Sequence, residues 1–295
     1  GSYVGAYNLI ERVEVDSSRV DIDELKDNQT GANDVQPNLS GGYLLEWDYR
    51  ADPAAGDAVV TVGPDQALVS LASPQNETDG TGVTTVQKSY ISGYLNSANS
   101  ALFSSGFADP VNGWRKYIDE ASAVDYYLIQ EYTKNLDSNM YTSVYMYKTR
   151  DSDAGPGKLF LGPAWDYDTS LGDAAYEGGQ GSTSGWYLRD QTDTYAKQTV
   201  QSGKTWFDRL NEDSSFRAAV KARWQQLKPV FDGLPASVDQ QAALIGKSAA
   251  ANFSIWDPNQ RLEDVQVIKG GFSNEVAYLK TWIAGRTSWM DSQLR

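Results

Sequence analysis

The segment GPAWDYDTSLG, residues 162–172, sets two acids, Asp166 and Asp168, one residue apart between a Gly-Pro pair and a glycine. Trp165 and Tyr167 alternate with them. A short polar segment of this kind is either a solvated turn or a cation site, because carboxylate oxygens suit hard ions such as Mg²⁺, Mn²⁺ or Ca²⁺. A third acid, Asp137, stands upstream in NLDSN. Between the two segments, YTSVYMYK alternates as a strand, RDSDAGPG reads as a turn and KLFLG as a second strand. A hairpin brings the residues at its open ends together. Asp137 is therefore expected near Asp166, with the three acids forming one carboxylate cluster.

Composition narrows the chemistry such a cluster could do. The 295 residues contain neither Cys nor His. Disulfides, thiolate chemistry, Ser-His-Asp or Cys-His catalysis and histidine-bound zinc or iron are all excluded. Carboxylate chemistry remains. The net charge of −14 repels phosphate backbones, so nucleic acid is not an expected partner. A nucleotide held here needs local basic groups or a metal. No apolar run reaches the roughly 18 residues of a membrane span. The 18 Tyr and 9 Trp in an acidic, cysteine-free chain suit a bacterial protein working outside the cell. No secretory signal is recognised, and the opening GSYVGAY reads as a trimmed start.

The elements that must position these acids follow from pattern. YVGAYNLIERVEV and RVDIDEL, within residues 1–25, read as strands, as do GGYLLEWDY and DAVVTVG; residues 26–41 read as a turn-rich loop. Helical spacing begins near Val83, with Val86, Tyr90, Tyr94 and Ala98 on one face. A second helix is expected over 114–134, its core stripe formed by Ile118, Ala121, Val124, Leu128 and Tyr132. It runs directly into the Asp137 loop. Residues 173–203, rich in Gly, Ser, Thr and Gln, read as a long irregular segment of the kind that usually carries function. Three helical regions then follow, over 205–231, 238–256 and 274–294. Strands first and helices after make an α+β chain, with a small β-rich lobe (1–82) beside a larger helical one (83–295).

Phosphoryl transfer needs metal-held phosphates, a positioned hydroxyl and a carboxylate to accept its proton. Protein kinases set out these parts as helix, catalytic-loop Asp, two strands and a metal-binding Asp in a D-F-G turn. The order here is the same, without an H-R-D sequence. The segments YVGAYNLIERVEVDSSRVDI, GGYLLEWD, KNLDSN, KLFLGPAWDYDTSLGDAAY and EVAYLKTWIAGRTSWMD together resemble the CotH-type spore-coat kinase family. These are atypical, secreted or surface-associated bacterial protein kinases. The resemblance implies an atypical kinase-like fold of two lobes. It also implies use of ATP with Mg²⁺ or Mn²⁺, phosphorylation of Ser or Thr in a protein substrate, and a place outside the cell, at its surface or in a spore coat.

Carried over by position, Asp137 becomes the catalytic-loop acid, Asp166 the metal ligand in the D-F-G role and Asp168 a second ligand. Trp165 or Tyr167 would line the adenine pocket, or either would be core. Arg12 would meet phosphate with Glu11 or Glu46 as its ion-pair partner, against the plainer reading of a strand-edge ion pair. Arg19 is a weaker candidate of the same kind, and Lys88 reads as a solvated helix residue. The family carries more sheet before the YVGAYNLIE strand, so a shortened nucleotide cover is expected. Two other functions stay open: a catalytically idle, kinase-like binding module at a surface, and a glycoside hydrolase using paired carboxylates.

Overall fold

The computed structural model describes residues 2–25, 31–75, 82–174, 181–190, 196–257, 259–260 and 266–295. Five strands form one antiparallel sheet: β1 (Tyr43–Trp47), β2 (Val59–Val62), β3 (Ala67–Ser73), β4 (Val144–Lys148) and β5 (Leu159–Leu161), in the order β2-β3-β1-β4-β5. The helices are α1 (Thr85–Leu102), α2 (Glu120–Thr133), α3 (Trp206–Leu210), α4 (Ser214–Phe253) and α5 (Phe272–Leu294). Among the described residues no helix is long and apolar enough to cross a membrane.

Alternation decides which face of the sheet is core. Tyr43, Leu45 and Trp47 of β1 join the hydrophobic core with Val69 and Leu71 of β3 and Val144 and Met146 of β4. Glu46 lies on the other face, opposite Ser70 of β3 and Tyr145 of β4. A strand's period of two therefore separates an apolar side under the helices from a polar side that carries the site. Helix α1 packs on β2 through Ile91, Leu95, Ala98 and Leu102, all fully buried. Of the expected face, Ala98 lies in that stripe, Tyr90 and Tyr94 are half-buried beside it, and Val86 is exposed. A Thr84–Gln87 capping box starts the helix.

Several expectations are corrected. Residues 2–25 contain no strand; their only ladder contact is an isolated bridge between Val15 and Val20. Tyr7, Leu9 and Ile10 are exposed. A β-type pattern becomes a strand only where a partner edge accepts it, and here none does. Strand β3 has the reverse history. Its small residues, ALVSLAS, hide a strict alternation of buried and half-buried positions. Over 114–119 the expected second helix is a 3₁₀ turn followed by a bridge from Ile118 to Leu159. Helix α2 begins only where Asp119 caps it by accepting from Ser122 N at 2.8 Å. Ala121 is exposed, and Ala123 occupies the core instead.

The two helical regions expected over 205–231 and 238–256 are largely a single helix, α4, which runs through Pro229 and Pro235. A proline removes one helical hydrogen bond and crowds the preceding turn. Packing of α4 along α5 and α2 carries the helix past both.

Asp213 ties this helical layer to the start of α2. Its side chain caps α4 through Ser215 N at 2.8 Å and also accepts from Trp114 Nε1 at 3.0 Å and Arg115 at 2.7 Å. Burial opposes its ionisation, yet the hydrogen bonds from Ser215, Trp114 and Arg115 outweigh it and hold the carboxyl well below the usual range. A depressed native pKa adds stability that is present above the unfolded value of about 3.9 and is lost as the pH falls. The thermal unfolding temperature should therefore start to fall below about pH 5 and keep falling down to about pH 1. Asp213→Asn should flatten that drop and cost about 2 kcal/mol near neutrality.

Candidate active site

Two loops build the site, and the elements before them aim both. Helix α2 ends at Lys134, a left-handed residue with φ 49° that turns the chain into the 135–143 loop. Gly162 follows strand β5, its φ of 119° favouring glycine, and the chain continues into WDYDTSL. Backbone hydrogen bonds hold the loops side by side: Leu136 N to Thr169 O at 3.3 Å, and Leu171 N to Thr133 O at 2.8 Å. The hairpin reading is thus correct in geometry. β4 pairs with β5, and its open end brings Asp137 within electrostatic reach of Asp166 and Asp168.

The three acids differ in setting. Asp137 is half-buried, whereas Asp166 and Asp168 are exposed. Burial, opposed by Arg50 and reinforced by Asp166, Asp168 and Asp48, pushes Asp137 up to about 6. Asp166 adopts φ 61°, a left-handed conformation uncommon outside glycine. Ser143 Oγ donates to its carboxylate at 3.2 Å, and Asn135 Nδ2 donates to its carbonyl at 3.0 Å. Among the described residues no group of three or more acids is arranged to hold a metal ion. The expected cluster is an electrostatic neighbourhood and not a three-carboxylate cage.

On the polar face of the sheet lies a cavity of about 510 Å³ that none of the three acids lines, although Trp165, the residue before Asp166, does. Arg12, Glu14, Glu46, Asp48, Tyr145 and Trp165 are among its walls. Arg12 has no carboxylate partner among the described residues. The expected partner Glu11 pairs with Arg19 at 3.2 Å instead, and Glu46 accepts from Ser143 N at 3.0 Å and from the Tyr145 hydroxyl. Burial raises the Glu46 carboxyl against the Tyr145 bond, and Asp48 adds to the rise. Arg19 is occupied by Glu11, Glu14 and Asp16, so it is no free phosphate contact. Trp165 lines the cavity and Tyr167 does not. The Tyr167 hydroxyl is buried without a partner among the described residues, near Tyr126.

Residues that the sequence reading did not single out complete the site. Asp48 accepts from Thr142 Oγ1 at 3.0 Å, and Arg50 donates to the same hydroxyl at 3.0 Å. A signal for Asp48 was present: in EWD it follows Glu46 by two, which puts both on one face of a strand. Asn135 and Ser143 act through contacts between distant segments, which no local pattern records.

The helix that carries the loop is held by a buried ion pair, Glu131 on α2 with Arg286 on α5 at 3.7 Å, both fully enclosed. Removing one partner of such a pair strands a charge in the interior. Arg286→Met should cost about 3–5 kcal/mol in chemical denaturation. Adding Glu131→Gln to it should recover part of that loss.

No curated protein and no solved structure matches this chain. The family model described as CotH kinase protein matches it over residues 1–290, nearly its whole length, and the chain therefore belongs to the CotH kinase family.

Proposed function

We propose that the protein is a metal- and ATP-dependent kinase that transfers phosphate to Ser or Thr of a protein substrate. The observation that carries this reading is the cavity walled by Arg12, which has no carboxylate partner among the described residues, by Trp165, the residue before Asp166, and by Asp48, within electrostatic reach of Asp137. Family membership supports a kinase-like function, and the polar sheet face with helices behind it is read as the junction of a two-lobed, kinase-like fold. A role outside the cell, at its surface or in a spore coat, belongs to the same proposal.

In this reading Trp165 packs against the adenine and Arg12 meets phosphate oxygens. The carboxylate oxygens of Asp166 and Asp168 suit Mg²⁺ or Mn²⁺. With no three-acid cage among the described residues, Asp166, assisted by Asp168, fits an ion whose remaining ligands are nucleotide phosphates and water, as is usual for Mg²⁺. When bound, that ion neutralises charge on the transferring phosphoryl group. Asp137 takes the proton of the substrate hydroxyl as its oxygen bonds to the γ-phosphorus and the bond to the leaving diphosphate breaks. A carboxylate with pKa about 6 is ionised at neutral pH and is a stronger base than an ordinary one.

One observation favours the idle binding module as a second reading. Kinase catalytic loops place a metal-ligating Asn five residues after the Asp. Here that position is Thr142, and Asp48 and Arg50 engage its hydroxyl.

Calorimetric titration of ATP with and without Mg²⁺, paired with an assay of phosphoryl transfer, separates the two. Metal-dependent binding should be lost in Asp166→Asn. Asp137→Asn should keep binding but lose about 10²- to 10⁴-fold in phosphoryl transfer to a Ser/Thr protein. Binding without turnover in the wild type would select the idle module. Because the base form of Asp137 is the active one, kcat/KM should fall as the pH drops through about 6 and level off above it.

A further inference from the structure

The geometry points to Asn135 as the positioning residue that couples the Asp137 loop to the Asp166 turn. Its consequence for catalysis rests on the kinase reading; the coupling itself does not. Asn135 is 2% exposed, so its amide is committed to protein partners. Nδ2 donates to the Asp166 carbonyl at 3.0 Å, and Oδ1 accepts from Asp137 N at 3.4 Å. Its own carbonyl accepts from Ser138 N at 3.2 Å and Ser138 Oγ at 2.7 Å, which fixes the backbone that presents the amide.

Only a side chain with donor and acceptor on one planar group can make both bonds from this position. The bond to the Asp166 carbonyl sets the peptide that follows a residue at φ 61°, and that peptide directs the turn toward Asp168. The bond from Asp137 N sets the acid on the other loop. The two backbone bonds between the loops, at Leu136–Thr169 and Leu171–Thr133, run beside the acids without touching them. Among the described residues Asn135 alone bonds to the backbone of both acidic residues, so a shift of either loop is passed to the other. Ser143 holds the same Asp166 from its carboxylate side, which leaves Asn135 as the control on its backbone.

Hydrogen–deuterium exchange on the full chain without nucleotide reads this directly. Asn135→Ala should raise exchange at least fivefold in peptides covering 134–141 and also 162–172, with α4 and α5 unchanged. Asn135→Asp keeps an acceptor for Asp137 N but turns an oxygen toward the Asp166 carbonyl. Its increase should be concentrated in 162–172. An increase confined to 134–141 in the alanine variant would overturn the assignment. So would failure of both variants to fold, since the residue would then serve the fold and not the site. Mg²⁺-ATP affinity is the second readout: it should weaken at least tenfold in Asn135→Ala. Exchange coupling in a wild-type chain that binds no ATP would sink the kinase reading and leave the coupling intact.

Discussion

The buried pairing of Glu131 with Arg286 is the constraint on which the helical half of the site depends. Glu131 accepts from Tyr187 N at 2.6 Å, Arg189 N at 3.2 Å and the Tyr127 hydroxyl at 3.1 Å. Arg286 donates to the carbonyls of Gly185 at 2.7 Å, Thr183 at 3.2 Å and Tyr132 at 3.3 Å, and to that of Glu131 itself. Together they join the end of α2, the 181–190 segment and α5. Burial raises the Glu131 carboxyl and lowers Arg286 to about 10. Both shifts indicate that desolvation exceeds the mutual attraction, so the pair adds definition more than net stability. It fixes where α2 stops, just before the turn into the Asp137 loop.

From that anchor the site is assembled by backbone geometry as much as by side chains. Lys134, Met140, Ser143, Asp166 and Leu171 all adopt positive φ without being glycine. Such residues cost energy individually and gather where a fold imposes a conformation for use. Here they mark the ends and turns of the two loops that present the acids. The hydrogen bonds of Asn135 and Ser143 stand on either side of the most exposed of these, Asp166.

On the proposed reading, the charge pattern calls for an anionic ligand that brings its own cation. Glu14, Glu46, Asp48 and Asp57 share the cavity with the single guanidinium of Arg12. Alone, these walls would repel a triphosphate; on the proposed reading, a divalent ion held by Asp166 would lessen that repulsion. Arg50, tied to Thr142 and close to Asp48, offsets the acids on the Asp137 side.

Much of this was legible in the residues. The hairpin between Asp137 and Asp166, strands β1 and β2, helix α1 and the last helix follow from periodicity, because alternation and helical spacing are local properties. The family motif located the acids, and the missing Cys and His left carboxylates as the available chemistry. Tertiary structure decided the rest. The strand-like pattern of residues 2–25 found no sheet edge, and two prolines failed to break α4 because its neighbours hold it. Glu11 went to Arg19, leaving Arg12 without a carboxylate partner among the described residues at the cavity, while Trp165 lines that cavity and the Tyr167 hydroxyl is buried. Each of those outcomes is a competition between partners far apart in the chain. A sequence determines which groups can pair; only packing determines which of them meet.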